Sequence, residues 1–394
     1  MIGDQLSPAL RGALAAARED RLYFDLSGIE DRYRTLTAEL PGVRVRFAMK
    51  ACPVDGVLRR LAALGSGFDA AGPAEIAGAL RTGVPADRIH YGNTVKSDSD
   101  IARAYRLGIR TFATDSVEDV TAIAAHAPGS RVFCRLATSG EGALWGLSRK
   151  FGCPPEEAVR ILLAAREHGL DPAGLSVHVG SQQMRPQAWQ EAGESIARVL
   201  ADVRAHGLRP DFVNLGGGLP AAGYVDRHGQ VLDPPMDKIY AVIREAMQTI
   251  AASSSVRPEF VIEPGRHLVA DHGAIRAHTV RLASRRQPGG GRQHWLYLSC
   301  GKFNGMYEMD QLQYRLHFPG HAGGATAPAV IAGPTCDSDD AYAPGGALVR
   351  VPASVASGDP VWILSSGAYA VSYTTQGFNG FSPLPHSCLE GSRR

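Results

Sequence analysis

Between residues 43 and 266, short β-branched, apolar runs alternate with longer stretches of helical periodicity. The runs at 43–50, 67–71, 88–92, 111–115, 131–137, 175–180, 212–215 and 260–263 have the length of buried strands. Residues 53–64, 74–81, 98–107, 117–125, 155–168, 187–205 and 236–251 read as the helices between them. In 155–168, Val159, Leu162 and Leu163 fall at i, i+3 and i+4, with Glu156, Glu157 and Arg166 around them. Strands that alternate with helices imply parallel βαβ units. Eight in about 220 residues predict a closed (β/α)8, TIM-like barrel over an open sheet.

After residue 266 the texture changes. The runs 274–283, 295–299, 329–332, 347–351 and 360–364 are short, and Gly/Pro-rich turns such as 287–291 and 344–346 separate them. This pattern predicts a mostly antiparallel β domain, which the run 22–26 joins from the N-terminal side. The expected division is a barrel over 27–272 and a β domain formed by 1–26 and 273–394, with 320–328 as a mobile surface loop.

Charge narrows the function. Lys+Arg is 41 and Asp+Glu is 39, a net charge of +2. A nucleic-acid binder shows a basic excess and an acidic disordered chain the reverse, so neither class fits. No apolar run approaches the roughly 18 residues of a membrane helix. Arg11, Arg18, Glu19 and Asp20 interrupt any apolar core of secretory type near the N-terminus. Cys52, Cys134, Cys153, Cys300, Cys336 and Cys388 are scattered without CxxC spacing, as expected of thiols in a reduced cytoplasm. No metal site is expected.

Catalytic residues of a barrel sit at the C-terminal ends of its strands. Those ends carry Lys50, Asp69, His178, Gly216 to Gly218, and Glu263 to Arg266. Each has a bland reading alone: a solvated lysine, a helix cap, a core histidine, a turn. The glycines do not match GxGxxG, so a Rossmann reading gains no support. Together they say more. The loops after strands seven and eight of a barrel often bind phosphate, and glycine backbone approaches phosphate oxygens closely. Arg266 adds a charge there, or pairs with Glu263. Lys50 can form a Schiff base with an aldehyde, and Glu263 can protonate a pyridine nitrogen. Lysine, acid and phosphate cradle are the requirements of pyridoxal 5'-phosphate.

The motifs Phe47-Ala48-Met49-Lys50, Gly67-Phe68-Asp69, His178-Val179-Gly180-Ser181, Gly216-Gly217-Gly218, Glu263-Pro264-Gly265-Arg266, Gly333-Pro334-Thr335-Cys336-Asp337 and Gly367-Ala368-Tyr369 stand in that order. In this the chain resembles the fold-type III pyridoxal-phosphate decarboxylases, the ornithine/lysine/diaminopimelate decarboxylase family, whose barrel is of the alanine racemase type. The resemblance implies decarboxylation of a basic L-amino acid of ornithine or lysine type, through an external aldimine and a quinonoid. It gives Lys50 the covalent hold on the cofactor and His178 the ring face. It puts Ser181, Gly216, Gly217, Gly218, Gly265, Arg266 and Tyr369 on the phosphate. Glu263 keeps the pyridine nitrogen protonated, Asp69, Glu75 and Arg135 support the site, and Cys336 protonates Cα after carbon dioxide leaves. It also implies a homodimer in which the Cys336 segment enters the partner's site.

Asp337 is implied as a contact for a distal ammonium, with Glu308 or Asp310 as a second acid, while Asp339 or Asp340 fits a solvated loop. Cys300-Gly301-Lys302-Phe303-Asn304-Gly305 departs from the family's usual Asp-Gly pair and is similar to a bacterial subgroup with Gly-Lys-Phe-Gly-Gly. The Cys-Glu-Ser motif of diaminopimelate decarboxylases is absent, since Cys336-Asp337-Ser338 stands there. Residues 138–151, with Gly140, Gly142, Gly146 and Lys150, read as a mobile lid. The alternatives are a decarboxylase of a specialised intermediate such as a carboxylated polyamine, a racemase, and an inactive regulatory homologue.

Overall fold

The computed structural model describes residues 6–146 and 150–391, which divide into two units. The first comprises Arg32–Pro220 and Pro234–Gly265. Its centre is a closed barrel of eight parallel strands. In chain order they are Val43–Ala48, Gly67–Ala70, Ile89–Tyr91, Thr111–Thr114, Arg131–Arg135, Asp171–Ser176, Phe212–Asn214 and Glu259–Ile262. Each pairs with the next and the last returns to the first, with Phe260 opposite Val43. Inside, Ala113, Phe133, Ala173, Phe212 and Val261 form a buried apolar cluster.

Local chemistry sets where the helices start. Ser97 and Ser116 cap Asp98–Arg106 and Val117–His126 by accepting the backbone N–H groups of Asp100 and Asp119. Proline opens Pro73–Leu80 and Pro155–Glu167, where its missing N–H is harmless. Gln187–Ala205 runs over the expected residues. It packs closely on Met236–Ser253, because a Cβ on Gly193 would stand 2.8 Å from that of Ala246.

The sixth strand departs from expectation. It runs over Asp171–Ser176 and not 175–180, so His178 lies beyond its end. Asp171-Pro172-Ala173-Gly174 carries no β-branched residue, which hid the strand. Its reason is steric, since a Cβ on Gly174 would come 1.7 Å from the Phe212 carbonyl of the neighbouring strand.

The second unit comprises Met1–Asp31, Ala221–Asp233 and Arg266–Arg394. Its sheet runs Leu316–His317, Pro360–Ile363, Gly273–Arg286, Arg292–Leu298, Thr326–Ala332, Val349–Pro352. Arg21–Asp25 pairs antiparallel with Gly273–Arg286 and parallel with His386–Leu389. Arg292–Leu298 and Thr326–Ala332 are also parallel, and the remaining pairs of the sheet are antiparallel. The sequence pattern gave no sign of the helix Pro8–Ala16, capped by Ser7, whose Leu10 and Leu14 pack with Ala274, Trp362 and Leu364. Residues 221–233 and 266–272 group with this unit, whereas the sequence pattern assigned both to the barrel. Val225–Asp226 explains the first excursion, pairing antiparallel with Leu312–Gln313. Among the described residues no helix is long and apolar enough to cross a membrane.

Candidate active site

The barrel's strand ends assemble a cluster of amine, imidazole, carboxylate and glycine backbone. Lys50 is exposed on the single 3-10 turn Met49–Ala51 that follows the first strand. Ala48 ties that end to the eighth strand by donating its N–H to the Pro264 carbonyl at 3.1 Å. The Lys50 ammonium is close enough to help lower the pKa values of Asp69 and His178 and to oppose the rise at Glu75.

Asp69, on the second strand, is buried with its Oδ1 3.2 Å from His90 Nε2. The same nitrogen lies 2.7 Å from Glu263 Oε1. Burial works against ionisation of Asp69, but hydrogen bonding and charge from His90, with Lys50 and Arg135, outweigh it and hold its carboxyl below the usual value. Glu263 follows the eighth strand, its side chain 13% exposed. Asn214 Nδ2 donates to Glu263 Oε1 at 2.5 Å, and Asn214 Oδ1 accepts the Gly216 N–H at 2.9 Å. Glu263 Oε1 thus accepts the Asn214 amide and lies beside His90 Nε2, while Oε2 has no hydrogen-bond partner among the described residues.

The glycine loop is sterically obligatory. Gly216 and Gly218 have φ of 71° and 113°, and their Cβ atoms would stand 1.9 Å from the Val177 carbonyl and 2.6 Å from that of Gly180. A Cβ on Gly217 would close the gap to the Glu263 carbonyl (2.9 Å) and His178 Nε2 (3.1 Å). Gly180 donates its N–H to His178 Nδ1 at 3.1 Å, which leaves the neutral ring's proton on Nε2. Burial, with Arg135 and Lys50 nearby, holds the His178 pKa well below its usual value, so the ring is neutral at pH 7.

Arg135 closes the fifth strand with its guanidinium 4.9 Å from the Phe151 ring centroid. Burial lowers its pKa against the pull of Glu263, Asp69 and Asp115. Glu75 accepts the Ala71 N–H at 2.6 Å, and burial raises its pKa. Ser181 begins a short strand, Ser181–Gln183, that pairs antiparallel with Ala143–Trp145 of the expected lid. Leu147, Ser148 and Arg149 of that lid lie outside the described residues. The barrel groups fit pyridoxal phosphate by their chemistry: an amine for its aldehyde, a carboxylate oxygen without a partner for its ring nitrogen, and bare backbone for its phosphate.

The remaining expected residues belong to the β unit. Arg266 is buried, its Nη1 2.5 Å from Glu308 Oε2 and its Nη2 2.6 Å from Glu308 Oε1. Its guanidinium also stands 4.9 Å from the Tyr369 ring and donates to the Tyr224 hydroxyl at 3.3 Å. The acid that pairs with Arg266 is therefore Glu308, not Glu263. This geometry departs from the expectation of Glu308 as a substrate contact, because both of its oxygens are spent on a desolvated guanidinium. Asp310 is half-buried, accepting from Gln311 at 3.4 Å. Tyr369 holds φ of 62°, a strained conformation for an aromatic residue.

Cys336 is exposed on the loop after Thr326–Ala332, its N–H donated to Asn379 Oδ1 at 2.9 Å. Asp337 Oδ1 accepts the Asp339 N–H at 2.8 Å. Asp340 corrects the reading of a solvated acidic loop: it is buried and accepts from Lys302 N, Thr335 N and Thr335 Oγ1 at 2.7, 2.9 and 2.7 Å. Asp339 alone of that pair is exposed.

Two residues of the barrel cluster escaped the sequence reading, His90 and Asn214. The available signal was a polar residue inside an otherwise apolar strand, at Ile89-His90-Tyr91 and Phe212-Val213-Asn214.

Comparison with known proteins follows this geometry. A family model described as "Pyridoxal-dependent decarboxylase, pyridoxal binding domain" matches residues 26–270. A lysine/ornithine decarboxylase of Selenomonas ruminantium is 30% identical over 375 residues, 94% of this chain and 89% of its own length. An ornithine decarboxylase of Caenorhabditis elegans is 30% identical over 383 residues, covering 92% of this chain and 85% of its own. The crystal structure of a lysine/ornithine decarboxylase from Vibrio vulnificus complexed with cadaverine matches with a TM-score of 0.83 at 30% identity, over 98% of this chain and 99% of that one.

Proposed function

This chain belongs to the pyridoxal-dependent decarboxylases and is a pyridoxal-phosphate-dependent amino-acid decarboxylase, and from that premise we propose that it acts on a basic L-amino acid of ornithine or lysine type and releases the diamine. The observation that carries the substrate class is the Cys336-Asp337 pair, a thiol followed by an acid. Asp337 keeps Oδ2 without a hydrogen-bond partner among the described residues, ready for a distal ammonium. The relatives named for lysine and ornithine support the same class.

Bound pyridoxal phosphate supplies an aldehyde for the substrate amine and a protonated ring that accepts the electron pair left by departing carbon dioxide. The chain's residues do the rest. Lys50 would hold the cofactor through its side-chain amine. Glu263 keeps a proton on the ring nitrogen through Oε2. The neutral His178 offers a flat, uncharged face, which leaves the positive charge of the ring unopposed. Gly216 to Gly218 and Gly265 turn backbone toward the phosphate, with Ser181, Arg266 and Tyr369 as further contacts. Asp69 and Arg135 fix the surrounding charge. Cys336 delivers a proton to Cα, which decides between amine release and misprotonation on the cofactor. The acting form is a homodimer with sites shared through the Cys336 segment.

A carbon dioxide release assay across ornithine, lysine, arginine, diaminopimelate and diaminobutyrate tests the substrate. Ornithine or lysine is expected to lead by at least about tenfold in kcat/KM, the discrimination one well-placed charge contact supplies. Release confined to diaminopimelate, or from none of the five, overturns the proposal.

A further inference from the structure

The barrel holds a buried histidine that the scheme above leaves without a role. His90 is the middle residue of the strand Ile89–Tyr91 and is fully buried. Its ring lies on an aromatic floor, 5.2 Å from the Phe133 centroid and 6.5 Å from that of Phe212. One nitrogen, Nε2, touches carboxylates from two other strand ends, Asp69 and Glu263, at 3.2 and 2.7 Å. Asp69 fits there because Gly92, two residues beyond His90, has no side chain; a Cβ would meet Asp69 Oδ1 at 1.8 Å. The strand His90-Tyr91-Gly92 is thus shaped around this contact.

Two carboxylates that share one buried ring nitrogen repel each other unless the ring carries charge. The charged groups that face His90 are Asp69, Glu263 and Arg46. Burial and Arg46 oppose protonation, and the two carboxylates outweigh them, so the His90 pKa is raised. With Asn214 on the same oxygen, His90 fixes Glu263 Oε1 and leaves Oε2 for other use.

We propose that His90 is a positioning residue: it stands between Asp69 and Glu263, holds the Glu263 carboxylate in place, and orients Oε2 toward the ring nitrogen of the cofactor. The inference rests on the role given to Glu263 above and deepens it. A metal ion is the competing occupant, since these three side chains form a group of possible ligands. His90 Nε2 and Glu263 Oε1 stand 2.7 Å apart, closer than the about 3.3 Å that separates two ligands of one zinc ion at the usual bond lengths.

The test compares His90→Leu, His90→Gln and Glu263→Gln by equilibrium dialysis of pyridoxal phosphate and by absorption spectra of the loaded protein from pH 6 to 9. His90→Leu is expected to weaken cofactor binding about tenfold or more and to shift the pH at which the absorption bands interconvert. His90→Gln, which keeps a donor without the charge, recovers part of the affinity but not the pH profile. In the wild-type apoprotein, the histidine proton resonance that disappears in His90→Gln is expected to titrate above the usual histidine value. Affinity within twofold of wild type with an unchanged pH profile in both His90 variants overturns the inference, as does a His90 resonance already neutral at pH 6. Zinc retained by the wild type and lost from His90→Gln also overturns it. The Glu263→Gln arm separates the two readings: no effect there removes the role of Glu263 itself, whereas an effect there with none at His90 removes only His90. If His90→Leu does not fold, the resonance and the glutamine variant still decide.

Discussion

Two histidines of the same barrel are driven to opposite charge states by what surrounds them. His178 is desolvated and meets Arg135 and Lys50, so its pKa falls well below the usual value. His90 is desolvated as well, yet two carboxylates raise its pKa. The signs predict opposite stability slopes. Below the unfolded pKa of about 6.5 the unfolded chain binds a proton at position 178 and the folded chain does not, so that contribution declines as pH falls. His90 contributes in the other sense: its share is full below about pH 6.5 and is lost as pH rises through the folded value. Melting temperatures of the apoprotein between pH 5 and 7 check the first. His178→Gln is expected to flatten the loss on acidification, and an unchanged slope would show that folding does not shift the His178 pKa. Arg266 and Glu308 show the same dependence on context: their mutual contact satisfies both charges inside the β unit.

At the scale of elements, glycine positions separate into those the fold requires and those it tolerates. Gly174 holds the sixth strand against the seventh, with no room for a methyl group beside the Phe212 carbonyl. Gly12 sits inside the helix Pro8–Ala16 with nothing within 4 Å of its Cβ position. Gly174→Ala is expected to cost about 1–3 kcal/mol by overpacking, whereas Gly12→Ala should be neutral or stabilise by up to about 1 kcal/mol. Denaturant melts of the two variants check this, and an equal effect would refute the steric account. The contrast also explains what the pattern of the chain disclosed. Helices such as Gln187–Ala205 repeat an apolar stripe that can be counted in the sequence. The strand Asp171–Ser176 has no such stripe, because its fit comes from a missing side chain facing a backbone far away in the chain.

At the scale of the molecule, the proposed shared-site dimer makes a quantitative prediction. Lys50→Ala and Cys336→Ala proteins should each be severely impaired. Exchange of subunits in an equal mixture should restore about a quarter of wild-type activity, since half the dimers are mixed and each has one intact site. A mixture no more active than the mean of its components, or full activity in a monomer, would overturn the shared site. The order of elements, the closed barrel and the family's motifs were legible in the sequence, because each rests on local periodicity or on contiguous residues. So were Lys50, Asp69, His178, the glycine loop and Glu263 as candidates, since a parallel barrel brings the ends of its strands to one rim. Which charge meets which was not legible. Arg266 with Glu308, His90 between Asp69 and Glu263, and Asp340 under the Cys336 loop join residues from separate segments of the chain or invert the solvation that their type suggests. Periodicity fixes which face of an element is buried, but the partner of a buried charge is set by distance and dielectric in three dimensions, and only the packed fold supplies those.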